Sequence, residues 1–99
     1  MKEQKFELGR TVVTRGVHQL MKEDGDFYTF VMCSLLGRHA TGDWGDLDPE
    51  GAKLNDAALA SGDNRIFSVY KRDDIPDGKI WIITERDRSA TTVLFPSEY

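Results

Sequence analysis

From Ile66 onward the apolar residues fall on alternate positions, and this period of two constrains the fold more than any other feature of the chain. Ile66, Ser68 and Tyr70 alternate with Phe67 and Val69; further on, Ile80, Ile82 and Thr84 alternate with Trp81 and Ile83. Between the runs lies Asp73-Asp74-Ile75-Pro76-Asp77-Gly78. Aspartate bonds its own backbone, proline presets φ and glycine tolerates positive φ, so the two runs predict an antiparallel hairpin. Setting Lys71 opposite Lys79 places Phe67 opposite Ile83, Val69 opposite Trp81 and Arg65 opposite Glu85. That register gathers an apolar face and ends in opposite charges, whereas a slip of one residue would turn every side chain to the other side. A last strand is expected over Thr91-Thr92-Val93-Leu94-Phe95. A short first one is expected over Gly9-Arg10-Thr11-Val12-Val13-Thr14, ending in a turn at Arg15-Gly16.

Between the first strand and the hairpin the apolar spacing changes to threes and fours, at Val17, Leu20 and Met21 and then Phe27, Phe30, Val31 and Leu35. This is the rhythm of a helix with one buried face. Gly25 predicts a division into a short helix and a longer one, with Asp26 capping the longer and Gly37 helping to end it. Gly42 to Leu47 reads as a shaped loop. Asp48-Pro49-Glu50 then starts another helix: an N-cap, a proline where no N–H is missed and a carboxylate near the positive helix end; Gly62 closes it. The expectation is a single α+β domain over residues 1–99, with a three- or four-stranded, mainly antiparallel sheet covered by two or three helices. A chain of 99 residues that is 39% hydrophobic has material for one core and no second one. Strand order is not legible.

Cys33 is the only cysteine, which excludes an intrachain disulfide and a cysteine-held zinc, and its place between Met32 and Ser34 suggests a buried helical position. The charged N-terminus and the lack of a long apolar run predict a cytoplasmic protein without membrane contact. Thirteen basic against seventeen acidic residues give a net charge of -4, the wrong sign for a generic nucleic-acid binder. No serine lies in a nucleophile elbow, and no phosphate-binding glycine pattern occurs.

The richest polar constellation is His39, Asp43 and Asp46, with Glu85 able to approach in the fold. Imidazole and carboxylates share acid–base work or hold a divalent ion, so these four would serve a small metal-dependent or acid–base hydrolase. Aspartates in a glycine-rich loop more often bond nearby backbone N–H groups, and no metal or cofactor is expected. Trp44 is either a binding anchor or a plug of the loop onto the core. Arg86 and Arg88 suit an acidic surface through their paired N–H donors, although the interleaved Glu85 and Asp87 also fit a solvated ion-pair network. Trp44, Arg86 and Arg88 are the candidate binding residues.

Four motifs in order, Thr14-Arg15-Gly16-Val17, Arg38-His39-Ala40-x-Gly42-Asp43-Trp44-Gly45-Asp46-Leu47, Lys79-Ile80-Trp81-Ile82-Ile83-Thr84-Glu85 and Thr91-Thr92-Val93-Leu94-Phe95-Pro96-Ser97-Glu98-Tyr99, resemble those of small proteins of bacterial plasmids and integrative elements, often labelled plasmid-related protein. The resemblance spans nearly the whole chain; Gly25 in the helical region and the aspartate-rich hairpin loop are where helix continuity and loop length depart from it. It implies a context and no residue-level mechanism: a non-catalytic accessory protein of a mobile genetic element that binds a protein partner. A host defence complex is the partner expected, with inhibition of restriction or of a CRISPR effector as the outcome.

Overall fold

The computed structural model describes residues 3–99. Strands β1 (Arg10–Val13), β2 (Ile66–Lys71), β3 (Lys79–Thr84) and β4 (Ala90–Leu94) form one mixed sheet in the order β1-β4-β3-β2. The hairpin β2–β3 has the register that alternation requires, with Phe67 opposite Ile83, Val69 opposite Trp81 and Lys71 opposite Lys79. β4 returns antiparallel to β3, while β1 lies parallel to β4. The expected Arg65–Glu85 ion pair is not formed. Asn64 at φ 82 turns the chain out of the strand, and the Arg65 guanidinium donates instead to the Tyr99 hydroxyl at 2.7 Å.

Among the described residues, four helices pack on one side of this sheet: α1 (Arg15–Glu23), α2 (Gly25–Phe30), α3 (Leu36–Ala40) and α4 (Pro49–Ser61), with a π-helical turn (Val31–Leu35) making α2 and α3 one continuous rod. The longer helix is capped by Asp24 and not by Asp26. Asp24 has the extended backbone of a cap, and its Oδ1 accepts from the N–H groups of Asp26 and Phe27 at 3.0 and 3.2 Å. Gly37 does not end the rod, which runs on to Ala40 and is closed by the Thr41 hydroxyl on the Gly37 carbonyl at 2.9 Å. Because Val31 and Leu35 take the inner face, Cys33 falls on the outer one and is exposed, contrary to the buried position expected.

The start and end of α4 are as expected: Asp48 Oδ1 accepts from Gly51 N–H at 2.7 Å, and Gly62 takes the left-handed conformation at φ 69. Asp48→Ala should therefore lower stability by about 1 kcal/mol, read as a lower urea midpoint at unchanged slope. An unchanged midpoint would mean that solvent satisfies those N–H groups equally well.

The main core lies between the sheet and the layer of α1 and the helical rod, where Ile80, Ile82, Val93 and Tyr70 meet Val17, Phe27, Val31 and Leu35. A second cluster, Trp44, Ala58 and Ile66, sits under α4 and is flanked by Phe6 and Leu47. β2 is an edge strand, yet its outward backbone N–H groups are all satisfied. The Asn55 amide of α4 pairs with both Phe67 N–H and Phe67 C=O, at 3.1 and 2.7 Å. The Gly42–Leu47 loop does the rest: Val69 N–H donates to Trp44 C=O, Asp46 N–H donates to Val69 C=O, and Lys71 N–H donates to an Asp46 carboxylate oxygen at 2.8 Å. One side chain and one loop thus replace a fifth strand and blunt an edge that would otherwise recruit other chains.

Candidate functional site

Ser68, Thr84 and Thr91 stand on the helix-facing side of the sheet, and each is fully buried. Their hydroxyls need partners there, because a buried polar group without one costs about 1–3 kcal/mol. His39, projecting from α3, supplies them. Its Nδ1 lies 2.5 Å from Ser68 Oγ and its Nε2 lies 2.9 Å from Thr84 Oγ1. Thr84 Oγ1 is 2.7 Å from Thr91 Oγ1, which donates to the Leu8 carbonyl at 2.7 Å.

Counting protons assigns the tautomer. Thr91 gives its only hydroxyl proton to Leu8, so Thr84 must donate to Thr91, and His39 Nε2–H must donate to Thr84; Nδ1 then accepts from Ser68. Phe6 and Trp44 pack edge-on to the imidazole at 5.2 and 6.0 Å. Burial holds the His39 pKa down to about 3. The ring is neutral, sealed and fully committed, and it ties α3, three strands and the N-terminal segment together.

The carboxylates grouped with His39 in the sequence do not converge on it. Asp43 accepts from Arg38 Nε at 2.8 Å and from Gly45 N–H at 3.1 Å, Asp46 binds the Lys71 backbone, and Glu85 uses its carbonyl to receive Arg88 N–H. Tyr70, under the Arg38 guanidinium, donates its hydroxyl to the Asp43 carbonyl at 2.7 Å, and burial pushes its pKa up to about 12. These bonds shape the loop. Among the described residues no group of three or more His, Cys, Asp and Glu side chains is placed to hold a metal ion.

The three candidate binding residues separate. Trp44 is only 9% exposed and fills the space between Ala58, Ile66 and Phe6, so it is a core plug and not a surface anchor. The Phe6 ring, 6.3 Å away, covers it, a contact that spans too much sequence for local spacing to reveal. Arg88 is drawn inward as well. Its guanidinium donates to the carbonyls of Asn64, Arg86 and Glu85 at 2.7, 3.0 and 3.2 Å, and weakly to Ala58 near the end of α4. Arg86 alone stays on the surface, paired through two N–H groups with Asp63, whose carboxyl its hydrogen bonds hold below the usual range. Both partners are exposed, so the pair adds little stability.

A surface that the sequence reading passed over lies on the side of the sheet away from the helices. By alternation and register, Val12, Thr92, Ile83 and Phe67 form one row across it, and Leu94, Trp81 and Val69 the next. The Trp81 ring stands between Phe67 and Tyr99, edge to face with each at 5.1 and 5.8 Å. Tyr99 is 72% exposed. Arg65, whose guanidinium donates to the Tyr99 hydroxyl, lines two recesses, the larger of which Tyr99 also lines. One recess, of about 400 Å³, is lined by the nearly buried Ile83 and Leu94 together with Thr92, Arg65, Glu85 and Glu98. The other, of about 170 Å³, is lined by Leu47, Leu54 and Phe67, and Leu54 is 66% exposed. The signal was present in the odd-numbered apolar residues of the hairpin, because a single helical layer covers only one face of a sheet.

Glu98 holds the chain that crosses this face. One carboxylate oxygen accepts from the Thr14 hydroxyl at 2.6 Å and the Phe95 N–H at 3.1 Å, and the other accepts from Gly16 N–H at 2.8 Å in the first turn of α1. No helix among the described residues is long and apolar enough to cross a membrane. Comparison with protein-family models, curated proteins and solved structures finds no match to this chain.

Proposed function

We propose that this chain works by non-catalytic binding to a protein partner. The observation that carries the reading is the half-covered sheet face, where the half-buried Phe67 and Trp81 and the exposed Tyr99 stand beside two recesses of mixed apolar and polar lining. Aromatic side chains already packed against one another cost little conformational entropy to immobilise and suit an interface core. The polar groups with catalytic potential are in buried or loop-shaping bonds, which favours binding over the hydrolase alternative built on His39, Asp43, Asp46 and Glu85.

The finer reading follows the sequence resemblance to plasmid and integrative-element proteins: the partner is a host defence complex, and binding inhibits it. Two measurements test this. Tagged protein should capture a stoichiometric, nuclease-resistant protein complex from host extract. If that complex is a restriction or CRISPR effector, its DNA cleavage should fall in proportion to added protein and stop at a fixed molar ratio. Capture that disappears on nuclease treatment would contradict the binding reading. So would substrate turnover by the purified chain that is lost in folded His39→Gln.

A further inference from the structure

We infer that two copies of this chain pair through the free edge of β1, antiparallel about a two-fold axis, so that their sheets join into one. This goes beyond the binding reading and stands apart from it, and either can fail alone. The two edges of the sheet differ. Asn55 and the Gly42–Leu47 loop close the edge at β2, whereas no described residue closes the edge at β1. Arg10 N–H donates to the Ser89 carbonyl at 2.9 Å and Thr14 N–H to the Val93 carbonyl at 3.1 Å. The parallel ladder therefore holds residues 10, 12 and 14 toward β4 and turns the N–H and C=O groups of Thr11 and Val13 outward. None of those four groups bonds a described residue. Thr11 is exposed and Val13 half-buried. α1 turns inward from the end of β1, with Val17 in the main core and its packing against β4 and α2, and leaves the edge clear.

An open edge accepts an extended strand, and the pattern of this one selects a second copy. Setting Thr11 opposite Val13 of the second copy, and Val13 opposite its Thr11, lets each pair exchange both backbone bonds and satisfies all the outward groups. Other antiparallel registers lose bonds. Opposing Thr11 with itself moves Val13 onto Gly9, which leaves the strand at φ 65, and opposing Val13 with itself moves Thr11 onto Arg15, already in α1. In the full register Val12, half-buried on the open face, meets Val12 of the second copy across the axis, where side chains approach closest. The charges agree as well. Arg10 falls opposite Thr14, whose hydroxyl donates to the exposed Glu98 at 2.6 Å. Arg10 makes no ion pair with a described residue of its own chain, and the Thr14, Gly16 and Phe95 groups that bond Glu98 are neutral donors that leave its charge in place. Each copy thus brings a free guanidinium to the carboxylate of the other, and no like charges stand opposite.

A two-fold contact uses the same edge of both copies, and the edge at β2 is closed, so assembly stops at two. The axis stands perpendicular to the sheet, which leaves the helices of both copies on one side and both open faces on the other. The paired segment, residues 10–14, is far shorter than the roughly 20–30 residues a side of a standard interface, so the dimer is weak and depends on concentration.

The test is sedimentation velocity of the intact protein from about 5 to 500 µM, with amide hydrogen exchange measured at both ends of that range. The expected result is a monomer in equilibrium with a dimer and no larger species, with exchange at Thr11 and Val13 slowing as the dimer fills. Thr11→Pro keeps every bond to β4, removes an outward donor and sets a ring between the strands, so it should abolish the dimer. Arg10→Glu sets a carboxylate beside Glu98 and should weaken association about tenfold or more. Lys53→Glu, the same change of charge at an exposed position of α4, should leave it unchanged. Circular dichroism confirms the fold of each variant, and the exposed positions of Arg10 and Lys53 keep that pair readable if the proline variant does not fold. A monomer at the highest concentration overturns the inference. So does a dimer that persists in folded Thr11→Pro, that Arg10→Glu and Lys53→Glu weaken equally, or that leaves exchange at Thr11 and Val13 unchanged, because each places the contact elsewhere. Growth beyond the dimer also overturns it. Capture of a host partner tests the binding reading separately in every case.

Discussion

Replacing Gly45 by alanine is expected to destabilise the domain by about 3 kcal/mol or more. Gly45 sits at φ 70, and a Cβ there would lie 2.2 Å from the Val69 carbonyl oxygen and 2.5 Å from Tyr70 Cδ1. Neither neighbour can retreat. The Val69 carbonyl is the acceptor for Asp46 N–H, and Tyr70 is buried with its hydroxyl on the Asp43 carbonyl. The loop must lift from the edge of β2, which strips the backbone partners from Val69 and Lys71. Gly42→Ala provides the comparison. Gly42 also has positive φ, at 87, but its added Cβ would meet only the flexible Lys5 side chain at close range. It should cost about 1 kcal/mol, the strain of the backbone alone. Urea denaturation of both variants decides the matter, and equal losses would mean that the loop does not dock on β2 as described.

The second large effect is acid sensitivity in a range where most carboxylates do not titrate. The folded His39 pKa, about 3, lies below the ordinary 6.5, so the unfolded chain takes up a proton that the folded chain refuses. The His39 contribution is fully present above pH 6.5 and is lost as pH falls from there toward 3. The slope approaches about 1.4 kcal/mol per pH unit, so roughly 2 kcal/mol should disappear between about pH 6.5 and pH 5. Glu98 and Asp77, whose carboxyls are held below their ordinary range, add losses of the same sign only at lower pH. Asp77 owes its shift chiefly to the Ser97 N–H. Desolvation works to raise Glu98, but the Thr14 hydroxyl and the N–H groups of Gly16 and Phe95 outweigh it. Stability curves for wild type and His39→Gln, measured by urea at a series of pH values, isolate the effect. The variant should be less stable at neutral pH and flatter between about pH 6.5 and 5. Parallel curves would mean that His39 is protonated as readily in the folded chain as in the unfolded one.

What the sequence revealed follows the range of the interactions. The β2–β3 register was legible because turn chemistry, alternation and apolar matching all act within some twenty residues of chain. The Asp48 cap was legible for the same reason, since its acceptor and donor lie three residues apart. The parallel pairing of β1 with β4 was not, because it joins Arg10 to Ala90 through short strands with no local signal of their partner. The Glu98 bonds to Thr14 and Gly16 bridge a similar separation.

The His39 network was half legible. Ser68, Thr84 and Thr91 are polar residues at helix-facing positions of otherwise apolar strands, and such residues need a buried partner. A histidine on the covering helix can serve two of them at once, but spacing alone could not distinguish that role from catalysis. Trp44 turned on a similar point. Its loop was recognisable, whereas its burial depends on Phe6, more than thirty residues earlier.

The two tryptophans allow the most direct test of binding through the open sheet face. Trp44 is in the core and Trp81 is half-buried on that face, so protein labelled with 5-fluorotryptophan should give two separate fluorine resonances, assigned by Trp81→Phe. When the captured host partner is added, the account predicts that the Trp81 resonance shifts or broadens while that of Trp44 stays in place. A Trp81 resonance that does not change in the saturated complex would contradict it.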